Sequence, residues 1–353
     1  MLPLNSLPRV SAHIDLQALR HNVQQVRTLC PRSKIMAAVK ADAYGHGMVP
    51  VANVLAKSGV EALAVACLEE AVALRRAGID APIALLEGVL SAEEAHAARA
   101  LRLQVVLHAP WQLPLLEANT EYWLKIDSGM HRLGFPLAAI PDLKTWRDQR
   151  SGFLGWITHF ARADEAVDAT TQQIRAFEQA LGEDPHPRSL ANSAGILHWP
   201  PARQDWVRPG LMLYGASPTW PQQHGLQPVM TLQSRLIALS EVPAGEAVGY
   251  GARFICPETM PVGVVAIGYA DGYPRRMPNG TPVWIEGQRA SVIGRVSMDM
   301  ITVDLRGVAR ANIGDGVELW GKQQPIEAIA EAADTLAYEL MCGLTRRVHF
   351  EYH

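Results

Sequence analysis

Through the first two-thirds of the chain, short apolar runs alternate with longer stretches of helical period. The runs Ile35–Val39, Leu63–Ala66, Ile83–Leu86, Gln104–Leu107, Trp123–Ile126, Leu154–Thr158, Arg188–Leu190 and Asp205–Arg208 read as strands. Between them, Leu68–Arg76, Ala92–Ala100 and Thr171–Leu181 place apolar side chains on one helical face. Strand then helix, repeated eight times, predicts a parallel sheet. Eight units in this length fit a closed (β/α)8 barrel, a fold of about 250 residues. An open doubly wound sheet is the alternative, but no G-x-G-x-x-G follows the first strand.

From about Pro218 the pattern changes. Thr219–Pro228 (TWPQQHGLQP) reads as a linker, and period-2 runs follow at Met230–Ala238, Met260–Ala266, Pro282–Glu286, Ala290–Val296, Met300–Leu305 and Gly316–Leu319. Two domains are therefore expected: an α/β barrel over residues 9–218 and an all-β domain over 226–353. The first segment, to Asp15, is a strand candidate for the second domain.

Composition narrows the class. With 48% hydrophobic and 19% charged residues in 353, the chain has ample material for a core. A net charge of -3 gives no reason to expect nucleic acid. Cys30, Cys67, Cys256 and Cys342 are scattered, so neither a zinc framework nor a disulfide framework is expected, and no metal is assigned. No run reaches membrane-spanning length, and the opening residues lack the basic-then-apolar pattern of a signal peptide. A cytoplasmic protein is the expectation.

Lys40 carries the most chemical information. An apolar strand delivers it and the chain then turns through Gly45 and Gly47, which puts an amine at the carboxyl end of a barrel strand, where such folds build active sites. Fewer water contacts lower a lysine's pKa, and a neutral amine condenses with an aldehyde. Alone, the residue reads better as a lysine reaching past a strand end to solvent. The string AVKADAYGHG (38–47) resembles the cofactor-lysine signature of alanine racemases, the barrel-type class of pyridoxal enzymes. The resemblance implies that Lys40 carries pyridoxal 5'-phosphate as a Schiff base and that Tyr44 binds its phosphate.

Phosphate sites in barrels lie after strands seven and eight, at helix N-termini. Asn192-Ser193 reads as a helix N-cap after the seventh strand, and Gly210 allows close backbone approach after the eighth. ANS and VRPGLMLYG resemble the matching alanine racemase blocks, which implies phosphate contacts from Ser193, Gly210 and Leu211. By the same resemblance Arg208 faces the pyridine nitrogen. Arginine holds its proton, so that nitrogen stays unprotonated, unlike in enzymes that place a carboxylate there.

Racemisation removes a proton from one face of the α-carbon and delivers one to the other, most simply with two bases. The block AVGYGARF (247–254) resembles the family's catalytic-tyrosine segment. It implies Tyr250 as second base, reaching the cofactor of the other subunit of a homodimer. A tyrosine has an ordinary pKa of about 10 and needs positive help, for which the family uses a histidine, here His159 in ITHF. The segment WLKIDSGMHRLG (123–134) implies Arg132 at the cofactor and substrate carboxylate, with Lys125 at a position often carbamylated in relatives. The segment VSMDM (296–300) implies a carboxylate contact from the Met298 backbone N–H of the partner, and IGYADG (267–272) implies that Tyr269 narrows the entrance.

The resemblance runs from about Ala12 to Val348. It departs at Arg346, where some relatives have a phosphate-binding tyrosine. It implies an isomerase that interconverts L- and D-alanine, whether for cell-wall precursor supply or for catabolism. A decarboxylase of the same barrel class would need an acid in place of Arg208. A non-catalytic pyridoxal carrier would need no second domain. Serine or broader racemisation is poorly separated by these motifs.

Overall fold

The computed structural model describes residues 8–165 and 168–353. The strands, in chain order, are β1 (Ser11–Ile14), β2 (Lys34–Ala38), β3 (Ala62–Val65), β4 (Ile83–Leu85), β5 (Leu103–Leu107), β6 (Tyr122–Asp127), β7 (Phe135–Pro136), β8 (Phe153–Ile157), β9 (Arg188–Ser189) and β10 (Trp206–Val207). They continue with β11 (Met230–Val242), β12 (Ala247–Val248), β13 (Phe254–Ile255), β14 (Met260–Val265), β15 (Pro282–Ile285), β16 (Gln288–Ile293), β17 (Ile301–Asp304), β18 (Gly316–Trp320) and β19 (His349–Tyr352).

Strands β2, β3, β4, β5, β6, β8, β9 and β10 pair in that order, all parallel, and β10 pairs back to β2. The apolar runs thus form the closed barrel that their rhythm predicts, within a residue or two at each end. Both faces of a parallel barrel strand are covered, so these strands need continuous apolar runs rather than alternation. Strands β3, β4 and β5 are buried along their whole length. One core cluster sets the small Ala62, Ala64 and Ala84 against Trp123, Ile157 and Trp206. The rings of Trp123 and Trp206 meet edge to face at 5.5 Å. Small facing large is how such a core fills without voids.

In the second unit, β11 pairs with β14 and β18, and the ring closes through β17, β16 and β15, with every pairing antiparallel. The first strand belongs here: β1 pairs antiparallel with β11 and parallel with β19. The segment ending at Ala18, Tyr214–Ala216 and Gln227–His353 form this compact unit, and Leu19–Leu213 with Ser217–Leu226 form the barrel unit. Most of the expected linker stretch therefore lies with the barrel. The second unit is not wholly strand, since short helices span Ile326–Ala332 and Ala337–Cys342. Among the described residues, no helix is long and apolar enough to cross a membrane.

Candidate active site

Lys40 directly follows Val39, whose N–H is still bonded to Ala64 in the neighbouring strand, so the sheet fixes where the amine begins. The glycines were expected to turn the chain, but the turn starts before them. Ala41, Asp42, Ala43 and Tyr44 all have φ between 50° and 56°, one left-handed helical turn made of residues with side chains. Each such residue costs about 1–2 kcal/mol. Neighbours hold the turn in place. Glu70 accepts the Ala41 N–H at 2.6 Å and the Ala66 N–H at 2.8 Å, tying the loops after β2 and β3 together. Asp42 Oδ1 accepts the Met48 N–H at 2.6 Å, at the start of the next helix. The buried His46 donates from Nδ1 toward the carbonyls of Ala43 and Tyr44, at 3.1 and 2.9 Å. Burial pushes that histidine down to about 4.

The turn delivers Tyr44 to Gly210. A Cβ on Gly210 would lie 2.7 Å from the Tyr44 hydroxyl, so only glycine admits that ring. The buried Ser193 Oγ accepts the N–H of Gly210 at 3.0 Å and of Met212 at 3.3 Å. Asn192 caps the helix Ser193–His198 by accepting the Gly195 N–H at 2.9 Å. Leu211 is buried and opens the 3-10 turn Leu211–Tyr214. Two hydroxyls, a close backbone approach at Gly210 and a capped helix start lie together, a set suited to phosphate.

Beside it lies a group of cations. Lys125, on β6, is pushed down to about 8 by burial and by the charges of Arg208, Arg132 and Lys40, against a weaker pull from Glu87. Burial and the same positive neighbours hold His159 well below the ordinary histidine value. Arg208, buried at the end of β10, is lowered to about 10 by desolvation. Its guanidinium donates to Ser189 Oγ at 2.7 Å, to the carbonyls of Thr158 and Leu190, and to His159 Nδ1 at 3.2 Å. None of these partners is a carboxylate, so the surface ion pair that an isolated arginine suggests is not what forms. Nor does Asp127 pair with Lys125. Its Oδ1 accepts the N–H groups of Gly129, Met130 and His131. Burial raises the Asp127 carboxyl, but these bonds outweigh it and keep the group ionised. Arg132, just beyond this turn, is exposed. Gln173 carried no signal in the sequence, yet it bonds Ser128 Oγ and the His159 carbonyl at 3.2 Å each and accepts the Ala161 N–H at 3.0 Å. Glu70 was equally silent.

In the strand unit, Tyr250 sits in a turn between β12 and β13 with its residue 71% exposed, not half-buried as an ordinary turn tyrosine would be. The Tyr269 N–H bonds the Ser297 carbonyl at 3.1 Å and the Ala270 N–H bonds the Met298 carbonyl at 3.0 Å, so the two expected substrate-side turns lie together. The buried Asp271 accepts the Gly268 N–H at 2.9 Å and faces Arg347 Nε at 3.0 Å. Arg347 reaches on to Asp299 at 2.8 Å, and both it and Arg346 are exposed.

An amine, a cradle suited to phosphate and a cationic group whose buried arginine bonds no carboxylate, at the carboxyl ends of a closed parallel barrel on a chain that adds an antiparallel strand unit, define a two-domain barrel enzyme. Residues 14–218 match the family described as alanine racemase, N-terminal domain, and residues 229–352 match alanine racemase, C-terminal domain. The alanine racemase of Aromatoleum aromaticum is 49% identical over 349 residues, covering 97% of this chain and 98% of that protein. The catabolic alanine racemase of Pseudomonas putida is 51% identical over 347 residues, covering 95% and 96%. The crystal structure of the biosynthetic alanine racemase from Pseudomonas aeruginosa matches with a TM-score of 0.94 at 44% identity, covering 98% of this chain and all of that one. That from Bartonella henselae, described with covalently bound pyridoxal phosphate, matches at 0.89 and 28% identity, over 98% and 100%. The chain belongs to the alanine racemase family.

Proposed function

We propose that this protein is an alanine racemase that holds pyridoxal 5'-phosphate on Lys40 and works in the cytoplasm as a homodimer with shared sites. The observation that carries the reading is the buried Arg208 without a carboxylate partner, set among Lys40, Lys125, Arg132 and His159.

The residues fit the cofactor. Ser193, the backbone of Gly210 and Leu211, and the Tyr44 hydroxyl would take the phosphate, and the missing Cβ of Gly210 leaves space that any other residue would fill. When bound, the cofactor supplies an electron sink that acidifies the substrate's α-proton. Arg208 stays protonated even with its pKa pulled down to about 10, so it offers the ring nitrogen no acid. His159, kept neutral, accepts the guanidinium's hydrogen bond instead of competing with it as a second cation. Lys40 moves the proton on one face of the α-carbon. Tyr250 of the partner subunit moves it on the other, and its exposed ring is available to a second chain. Arg132 and the partner's Met298 N–H take the substrate carboxylate, and Tyr269 limits the side chain. A single methylene is worth only about 1–3 kcal/mol of discrimination, so serine belongs in the assay. Lys125, with its amine partly neutral near pH 7, takes up carbon dioxide, and the resulting carbamate holds Arg132. The free, scattered thiols suit a reducing compartment.

The direct test is incubation with L-alanine and pyridoxal phosphate, with D-alanine measured by chiral chromatography and serine and lysine run in parallel. The shared site has its own test. Lys40→Ala and Tyr250→Phe chains are each expected to be inactive. A refolded equal mixture should regain about a quarter of wild-type activity, because half the dimers then hold one intact site of two. A mixture as inactive as its parents would rule out a tyrosine supplied across the subunits.

A further inference from the structure

The first and last strands of the strand unit lie side by side in parallel register, with His13 opposite Glu351. Strand residues two apart share a face. Ser11 and His13 therefore project beside His349 and Glu351, and His353 follows two residues on. His13 Nδ1 is 3.3 Å from His353 Nε2 and 3.3 Å from Glu351 Oε2, and His353 Nε2 is 4.0 Å from the same oxygen. These three donor atoms, all within 4.8 Å of one another, come from two partly buried residues and one exposed residue.

The spacing is what a small cation requires. Ligands about 2.1 Å from a tetrahedral ion sit about 3.4 Å from each other. Two of the three separations already match, and the third needs only a small turn of the exposed His353 ring. A proton is a poorer occupant, because the one on His13 Nδ1 can serve only one of the two acceptors facing it. The outer contacts are those of a metal site as well. Ser11 Oγ lies 3.0 Å from His13 Nε2 and can accept an N–H from it, the tautomer in which Nδ1 offers a lone pair to a metal. His349 Nε2 is 3.9 Å from Glu351 Oε1, the oxygen turned away from the cluster. Two imidazoles and one carboxylate suit zinc, nickel or copper, not the oxygen-seeking calcium or magnesium. With its histidines neutral the cluster carries one negative charge. Cysteine spacing gave no hint of it, since its ligands come from the two ends of the chain and contain no thiol.

We propose that His13, Glu351 and His353 bind one divalent ion of the zinc class, with water as fourth ligand, clamping β19 to β1. The reading is independent of the racemase chemistry. The test uses untagged holoenzyme, stripped by chelator and titrated with zinc sulfate in a calorimeter, with melting temperature followed in parallel. Wild-type protein should bind one zinc per chain and melt higher with zinc. His353→Ala and Glu351→Ala should each bind at least about tenfold more weakly and show no zinc-dependent rise. Cobalt(II) should give the intense visible bands of four-coordinate geometry with the wild type, a readout that needs no variant to fold. Equal zinc binding by wild type and both variants, no zinc binding by the wild type, or only weak six-coordinate cobalt bands would each overturn the proposal.

Discussion

Gly210 and Lys125 each show a single residue setting what the site can hold. At Gly210 the methyl group of alanine would meet the Tyr44 hydroxyl at 2.7 Å. Gly210→Ala should therefore lower cofactor affinity about tenfold or more while the barrel remains folded, as read by absorbance titration of the apoenzyme with pyridoxal phosphate. Unchanged affinity would move the phosphate elsewhere. Lys125 is pushed down to about 8 from an ordinary 10.5. Carbamylation needs the neutral amine, so 13C-bicarbonate should give a carbamate resonance that is strong above pH 8, forms more slowly as pH falls below it, and is missing from Lys125→Met. Resonances identical in wild type and variant would place the carbamate on another amine. Most candidate residues at this scale were legible because each sits in a contiguous block, such as AVKADAYGHG or VRPGLMLYG, whose order carries the information. Glu70 and Gln173 were not. They act through backbone groups of other loops, and a glutamate on a helix or a glutamine inside one gives no local sign of that.

The element that positions the amine is the left-handed turn Ala41–Tyr44. Glycine can adopt that conformation freely, but four residues with side chains keep it only because surrounding bonds compensate for its strain. Glu70→Ala leaves the Ala41 and Ala66 N–H groups without their acceptor. Each orphaned donor costs roughly 1–3 kcal/mol. Chemical denaturation should show the loss, and kcat should fall with it. Glu70→Gln, which keeps one acceptor oxygen, should fall in between. A Glu70→Ala protein as stable and active as wild type would mean that the turn holds itself. The same turn brings a pH dependence. The folded pKa of His46 is lowered to about 4, from 6.5. Below 6.5 the unfolded chain therefore takes up a proton that the folded chain refuses, and stability falls as pH drops from 6.5 toward 4. The full effect is on the order of 3 kcal/mol. His159 acts in the same direction. Urea midpoints between pH 7 and 4.5 should fall less steeply for His46→Asn than for wild type, and parallel slopes would assign the acid sensitivity to other groups. Gly45 and Gly47 mark where the chain turns but not the hand of the turn, since in Ala-Asp-Ala-Tyr only Asp42 is of a type that readily takes a positive φ.

For the molecule as a whole, both architectures could be read from periodicity: continuous apolar runs for the strands of the closed barrel, alternation for those of the antiparallel unit. The parts that escaped are short or polar. The helices Ile326–Ala332 and Ala337–Cys342 are too brief for a period to declare itself, and His-Phe-Glu-Tyr of β19 alternates without an aliphatic face. That last strand pairs with β1, which also lines β11. Deleting the residues before Asp15 should therefore expose two strand edges, lower the melting temperature and promote aggregation, as measured by calorimetry and light scattering. A truncated chain that melts like the intact one would make β1 an ornament of the sheet. The pairing also sets an order of events during synthesis. As the chain is made, β1 can pair with β11 once that strand has emerged, but its other edge stays unmatched until β19 follows.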